Sequence, residues 1–201
     1  MTQPEKLNQF PEMFNKIELY ERNEPPIAHF PEESVTYFYE ISSMRTKSWA
    51  SSARVNPKAD STGLIGELSF FKWLGYTGHE ALEDFTSGLK GDSGIDCYYE
   101  NMAIDIKTTF SKDQKLKYIF TKSNRNANRA NVIVFVKLME TMSGSVNAWL
   151  LAWSWKHDII PYLRDSEKYP HIQTLYLDSL KRNKVLYPIS HLLLNESKEV
   201  F

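Results

Sequence analysis

The stretch from residue 95 to residue 107 alternates apolar side chains with other side chains. Apolar residues take every second position of two short runs: Ile95, Cys97 and Tyr99 in the first, Ile104 and Ile106 in the second. A period of two is typical of half-buried β-strands. Glu100-Asn101 stands midway between the two runs, so we predict a β-hairpin with this pair as its turn.

Two other segments repeat apolar residues at the spacing of a helix. Residues 33–45 predict one helix, and residues 61–74 predict another that ends at Gly75. Residues 131–138 and 147–155 are nearly continuous apolar runs, which are typical of strands buried on both faces. Shorter runs predict further strands at residues 117–121, 174–177 and 185–187.

This order of elements indicates an α/β protein with a mixed central β-sheet flanked by helices. The length of 201 residues favours a single domain. Prolines are frequent in residues 1–32, which predicts an irregular arm with at most one short helix. We expect residues 1–60 to form an N-terminal arm and helix packed on or extending a core made by residues 61–201.

The predicted hairpin brings two carboxylates together. Counting outward from the turn places Asp96 directly opposite Asp105, at a distance of roughly 5 Å between β-carbons, where like charges repel. A divalent cation with oxygen ligands would turn this repulsion into binding energy. Lys107 follows Asp105 by two positions and therefore points to the same face of the strand. A turn of three residues would shift the register by one.

The context of the triplet Asp105-Ile106-Lys107 matters more than the triplet itself. With 25 acidic and 24 basic residues, chance alone gives about three triplets of an acid, any residue and a base, and three occur in the chain, each with lysine as the base. Only this one lies on a predicted strand with a second aspartate facing it. The alternative interpretation is an exposed hairpin with ordinary surface charges.

Glu67 is a further carboxylate in an unusual position. It follows Leu64 by three residues and precedes Phe71 by four, so it projects from the apolar side of the predicted helix. A carboxylate there must be paired, hydrogen-bonded or bound to a metal. The alternative is a glutamate at the edge of the apolar stripe that reaches solvent or a lysine.

Charge is balanced over the whole chain but not along it. The net charge of −1 gives no global argument for a nucleic-acid partner, yet residues 105–131 carry +5 and the remainder carries −6. Local basic charge beside a carboxylate pair is suited to handling phosphate. The candidates for nucleic-acid binding are Lys112, Lys115, Lys117, Lys122, Arg125 and Arg129. A solvated, lysine-rich loop is the alternative.

The composition also bears on the compartment. Cys97 is the single cysteine, which excludes an internal disulfide and suggests a reducing environment. The polar N-terminus is unlike a signal peptide, and the longest apolar run, residues 146–155, is too short to span a bilayer. We therefore expect a cytoplasmic protein with no membrane partner.

Taken together, these residues resemble the PD-(D/E)XK nuclease superfamily, which includes many restriction endonucleases. The resemblance lies in Glu67 on a helix, Asp96 on a strand and Asp105-Ile106-Lys107 on the next strand. Residues 63–67 look like the Gly-x-x-Gly-Glu helix start of many members, and Gly94-Ile95-Asp96 resembles their Gly-x-Asp. The resemblance covers residues 61–155. Ile95 stands where the proline of the motif would be.

The resemblance implies a three-layer, restriction-endonuclease-like core and a Mg²⁺-dependent deoxyribonuclease, most simply an endonuclease. Asp96, Asp105 and the backbone carbonyl of Ile106 would bind Mg²⁺, for which Mn²⁺ would substitute. Glu67 would be an additional ligand, direct or through water, and Lys107 would be the catalytic lysine. DNA is the implied partner, and a homodimer would supply the two active sites needed to cut both strands.

Two other functions remain open at this point. A catalytically silent nucleic-acid-binding module would keep a nuclease-like fold, although binding alone does not need carboxylates that face phosphate. A protein-interaction module would instead use the charged hairpin and the aromatic residues as a partner surface.

Overall fold

The computed structural model describes residues 3–48, 57–88, 95–110, 116–121, 129–170 and 172–193. Its helices are α1 (Gln3–Leu7), α2 (Phe10–Asn15), α3 (Glu32–Ser48), α4 (Pro57–Trp73), α5 (Gly78–Gly88), α6 (Lys156–Ile159) and α7 (Leu177–Arg182). Its strands are β1 (Glu18–Tyr20), β2 (Ile27–Phe30), β3 (Cys97–Tyr99), β4 (Met102–Phe110), β5 (Lys117–Thr121), β6 (Val132–Glu140), β7 (Val146–Trp155), β8 (Arg164–Asp165) and β9 (Ile172–Tyr176).

Six strands form one mixed sheet in the order β1-β2-β7-β6-β4-β3. Its neighbouring strands are antiparallel except β4 and β6, which run parallel with Ile104 opposite Val132. The sheet and its flanking helices confirm the predicted α/β class with a mixed sheet. Because parallel neighbours need a long crossover connection, the chain leaves the sheet after Phe110, and that crossover is the basic segment.

Strands β5, β9 and β8 form a second, three-stranded antiparallel sheet. The strand predicted at residues 117–121 is confirmed as β5, but it pairs with β9 rather than with the central sheet. The reason is packing: Tyr118 and Leu175 are buried against Ile133 and Phe135, so this sheet covers a face of the central sheet. The strand predicted at residues 185–187 is only a single bridge, from Tyr187 to Trp153.

Both predicted helices are confirmed. Residues 33–45 lie within α3, and residues 61–73 lie within α4. The chain after α4 turns at Gly75, whose φ of 82° lies in the left-handed region that favours glycine. Helix α5 follows directly, in a segment for which the apolar pattern predicts no element.

The prediction of an irregular N-terminal arm with at most one short helix is wrong, because two short helices, α1 and α2, precede strands β1 and β2. Strand β2 pairs with β7, and β1 extends the sheet beyond β2. In α2, Phe10 and Phe14 are fully buried. Prolines 25, 26 and 31 lie between regular elements, and pairing with a strand far away in the chain leaves no mark on local composition.

The core has two parts, one on each face of the central sheet. One contains Ile104, Ile106 and Val134 together with buried residues of α2, α3, α4 and α5. The other contains Ile133 and Phe135 with residues of the small sheet. Strands β4 and β6 are therefore covered on both faces. Within the described part of the chain, no helix is long and apolar enough to cross a membrane.

Candidate active site

The hairpin has the predicted turn and register, and Asp96 lies directly before β3, within electrostatic reach of Asp105. Tyr99 pairs with Met102 and Cys97 with Ile104, so Glu100-Asn101 is the turn and the same count carries Asp96 to Asp105. Glu100 adopts a φ of 51°, which is the left-handed conformation that tight hairpin turns require. The two-residue turn therefore sets the register on which the pair of aspartates depends.

Asp96 directly precedes β3 and bonds to β4 through both its backbone and its side chain. Its N–H donates to the carbonyl of Ile104 at 2.8 Å, and its Oδ2 accepts from the N–H of Ile106 at 2.5 Å. The carboxyl group thus satisfies an edge donor of β4 that β3 is too short to reach. Its second oxygen, Oδ1, is the candidate ligand atom.

Asp105 and Lys107 share the face of β4 that the small sheet covers. Their neighbours on β6 are Ile133 and Phe135, both in the core under that sheet. The Nζ of Lys107 donates to Oδ1 of Asp105 at 2.5 Å, and the exposed fractions of the two side chains are 25% and 3%. A carboxylate so deeply buried requires a partner of this kind.

The same ammonium group contacts an aromatic ring. The Nζ of Lys107 lies 5.5 Å from the ring centre of Phe120 on β5, within the range of a cation–π interaction. Phe120 of β5 and Asp105 therefore both contact the ammonium group of Lys107. The small sheet thus helps to define where this lysine points.

Glu67 lies on α4, which packs against β4 across the face of Ile104 and Ile106. It is 9% exposed, in agreement with its predicted position on the apolar side of the helix. The close packing depends on Gly66, where a β-carbon would stand 1.9 Å from Oγ1 of Thr108 on β4. The glycine therefore lets α4 come close to β4, and the charge of Glu67 acts on Asp96.

The carboxylates repel one another. Burial is the largest cause that raises the pKa of Asp96 well above its ordinary value, and the charges of Glu67 and Asp105 raise it further. Lys107 and the hydrogen bond from Ile106 act in the opposite direction. Mutual repulsion of this kind is what a bound cation relieves.

Oxygen donors around Asp96 are of the type that binds a hard divalent cation. The carbonyl of Ile106 lies on the same edge of β4 as its N–H, beyond the end of β3. Among the described residues, however, no three His, Cys, Asp or Glu side chains are already arranged as a metal site. Lys107 holds Asp105, so an ion would compete with this lysine for the carboxylate.

The predicted nucleic-acid-binding residues are only partly described. Lys117 begins β5 and is exposed, and Arg129 is exposed shortly before β6. Lys112, Lys115, Lys122 and Arg125 lie outside the described residues. The structure brings β5 over the face of Asp105 and Lys107, through the contact with Phe120.

Lys156, the first residue of α6, is a basic residue of this region that the sequence analysis does not single out. Burial lowers the pKa of its ammonium group most strongly, Asp105 raises that pKa and Lys107 lowers it. Lys156 therefore lies within electrostatic reach of both residues. No local signal could have revealed this, because the chain between Lys107 and Lys156 includes two strands of the central sheet.

No family model matches the chain, and neither a curated protein nor a solved structure is similar to it at a significant level. The functional interpretation of this site therefore depends on the side chains and their geometry.

Proposed function

We propose that the chain is a divalent-metal-dependent nuclease that hydrolyses DNA phosphodiester bonds, most simply as an endonuclease. The observation that carries the proposal is a short hairpin that brings Asp96 within electrostatic reach of Asp105, with Lys107 bound to Asp105. A buried carboxylate and a half-buried one beside a lysine suit phosphodiester hydrolysis. The carboxylates can bind a metal ion while the lysine acts on the phosphate.

We further propose that the fold is a three-layer, restriction-endonuclease-like core. The support is the arrangement of layers: α3 and α4 on one face of the mixed sheet, the small sheet with α6 and α7 on the other. In that superfamily's motif, a glutamate on a helix precedes carboxylates on two successive strands. Glu67 on α4, Asp96 directly before β3 and Asp105 on β4 follow the same order.

Four groups of this chain would hold the ion: the carboxylates of Asp96, Asp105 and Glu67, and the carbonyl of Ile106. Mg²⁺ suits them because it prefers hard oxygen ligands and retains waters, and Mn²⁺ would substitute. When bound, such an ion makes a water more acidic and neutralises charge on the scissile phosphate.

Lys107 is the catalytic lysine of the proposal. Its ammonium group stands at Asp105, where it can position the attacking water or donate to a phosphate oxygen. The water oxygen forms a bond to phosphorus, one P–O ester bond breaks, and the leaving oxygen takes up a proton. Phe120 limits the positions open to this lysine, because its ring lies beside the ammonium group.

The basic crossover segment supports DNA as the substrate. Residues 105–131 carry a net charge of +5, and β5 within them lies over the candidate site. Positive charge along one surface attracts the phosphate backbone without regard to sequence. Cutting both strands would need two such sites, which a twofold homodimer would supply.

Cleavage is expected to depend on the metal. Supercoiled, linear, branched and single-stranded DNA would be incubated with the purified protein and Mg²⁺, Mn²⁺, Ca²⁺ or EDTA. We expect cutting with Mg²⁺ and Mn²⁺ and none with EDTA, because the proposed reaction needs the ion to make a water more acidic and to neutralise charge on the phosphate. If none of these DNA forms is cut with Mg²⁺ or Mn²⁺, the proposal is wrong, and binding without cutting would indicate the silent binding module.

Lys117 and Arg129 test the DNA-binding surface. If each contacts one phosphate, neutralising Lys117 or Arg129 to Met should weaken binding to all sequences and reduce the slope of log K against log salt by about one unit each. Fluorescence anisotropy at several salt concentrations measures that slope. The matched control is Lys168→Met, at an exposed lysine on the segment between β8 and β9. If the slope is unchanged in the Lys117 and Arg129 variants, these residues belong to ordinary solvated surface.

A further inference from the structure

Lys156 is anchored to the base of the hairpin strand by a row of hydrogen bonds. Its N–H donates to the carbonyl of Asn131 at 2.9 Å, and the N–H of Asn131 donates to the carbonyl of Ala103 at 2.8 Å. The side-chain Oδ1 of Asn131 accepts from the N–H of Ala103 at 2.9 Å. Asn131 thus ties the start of α6 to β4, one residue before β6 begins.

This row continues the register of the sheet. Trp155 pairs with Val132, and Val132 pairs with Ile104, so Lys156, Asn131 and Ala103 occupy the next row. Side chains alternate between the faces from one row to the next. Ile104 and Val132 face the helices, and the row of Lys156 therefore belongs to the face of Asp105 and Lys107.

Lys156 lies within electrostatic reach of Asp105. It directly follows β7, which is two strands or roughly 10 Å from β4 across the sheet, and its long side chain can extend over part of that distance. Asp105 and Lys107 both act electrostatically on Lys156, which is half-buried. Two lysines therefore act electrostatically on one buried carboxylate.

This pairing exceeds what Asp105 alone requires. Lys107 already donates to its carboxylate at 2.5 Å, and bringing a second ammonium group out of water costs free energy. Formal charges indicate a role for Lys156. The three carboxylates of the proposed site and its two lysines sum to −1, and a bound divalent cation would raise the sum to +1. That charge matches one phosphodiester, whereas the site without Lys156 would be neutral.

We infer that Lys156 is a second phosphate-binding lysine of the site, which donates to a non-bridging oxygen of the scissile phosphate while Asn131 holds its backbone. The inference rests on the proposed phosphodiester hydrolysis and extends it to a residue that follows β7, two strands away from β4. In this arrangement, Lys107 and Lys156 neutralise charge on the phosphate from β4 and from α6, respectively.

The test is single-turnover cleavage by Lys156→Met, which keeps the length of the side chain and removes its charge. We expect the rate to fall about 100-fold, the effect of losing one well-placed donor to the transition state. Lys156→Arg, which keeps the charge, should recover most of the rate. Lys168→Met is the matched control and should cleave like the wild type.

Two further measurements separate catalysis from structure. Thermal unfolding should leave Lys156→Met folded, and Lys156→Gln is the second neutral variant if it does not. Mn²⁺ titration by calorimetry should show affinity equal to or above that of the wild type, because a positive charge near Asp105 has been removed. A purely structural lysine would instead lower the rate, the metal affinity and the unfolding temperature together.

The outcomes are distinguishable. A wild type that cuts DNA and a Lys156→Met variant that cuts equally well would overturn this inference and leave the proposed function intact. An Arg variant as slow as the Met variant would also count against it, because the charge would not be what matters. A wild type that cuts no DNA would overturn the proposed function, and this inference with it.

Discussion

Asp105→Asn is expected to reduce metal-dependent DNA cleavage by at least about 1,000-fold. The substitution keeps the shape of the side chain but removes the charge that Lys107 contacts and that the proposed divalent ion would contact. Single groups that stabilise charge in a transition state commonly account for 100- to 1,000-fold in rate. Asp105→Asn would also weaken binding of the proposed ion, which would make water more reactive. Gel-based cleavage in Mg²⁺ measures the loss.

Lys107→Met should lower the cleavage rate by a similar factor while metal binding persists. Its ammonium group contacts Asp105, yet it is not an oxygen ligand. Calorimetric Mn²⁺ titration therefore separates the two variants: Asp105→Asn should lose Mn²⁺ affinity, and Lys107→Met should keep or gain it. DNA binding should persist in both.

Controls for these variants come from exposed residues of like charge. Glu83→Gln removes an exposed carboxylate on α5, and Lys168→Met removes an exposed ammonium group. Both should cut at the wild-type rate. If Asp105→Asn or Lys107→Met also cuts normally, the assignment of the site is wrong even if the protein is a nuclease.

Gly66→Ala is expected to have the largest effect on stability. A β-carbon at residue 66 would stand 1.9 Å from Oγ1, 2.9 Å from Cβ and 3.0 Å from Cγ2 of Thr108. Rotating the threonine side chain moves Oγ1 and Cγ2 but not Cβ, so α4 or β4 must shift. Overpacking of this kind costs about 3 kcal/mol in the free energy of unfolding, which urea titration measures.

The same helix supplies the control. At Gly63 the nearest atom to an added β-carbon is Oε1 of Glu67, at 3.9 Å, which is ordinary contact. Gly63→Ala should therefore be neutral or stabilise the protein by up to about 1 kcal/mol, through the higher helix propensity of alanine. Equal stability of the two alanine variants would contradict the close packing of α4 on β4.

A second substitution tests the clash itself. Thr108→Ala removes Oγ1 and Cγ2 but leaves Cβ at 2.9 Å, so it should restore only part of the stability lost in Gly66→Ala. The shift of α4 should also move Glu67, and cleavage should then fall in Gly66→Ala more than its stability loss explains. A double-mutant cycle of the two positions measures their coupling.

The hairpin was predictable because its determinants are local. Alternation of Ile104, Asp105 and Ile106 sets the faces of the strand, and a two-residue turn sets which residues pair. Helix α4 was predictable for the same reason, because its apolar residues repeat at helical spacing. Glu67 stood out because a carboxylate interrupts that repeat, and its burial agrees with the prediction.

The remaining features arise from contacts between distant parts of the chain. Pairing of β2 with β7 joins residues more than a hundred positions apart, and no local composition reveals it. The separate sheet of β5, β9 and β8 forms because Tyr118 and Leu175 pack on the face of β6 that the helices α3 and α4 leave uncovered. Such choices depend on which apolar surfaces remain uncovered once the central sheet has formed.

The amino-acid sequence by itself therefore determined the candidate chemistry: two aspartates on a hairpin, a lysine beside one of them and a glutamate on the helix before it. Only the tertiary structure decided how α4 approaches them, through the missing side chain of Gly66, and that Lys156 joins Lys107 near Asp105. The physical reason is that local periodicity orients side chains within one element, whereas distances between elements follow from packing the whole core.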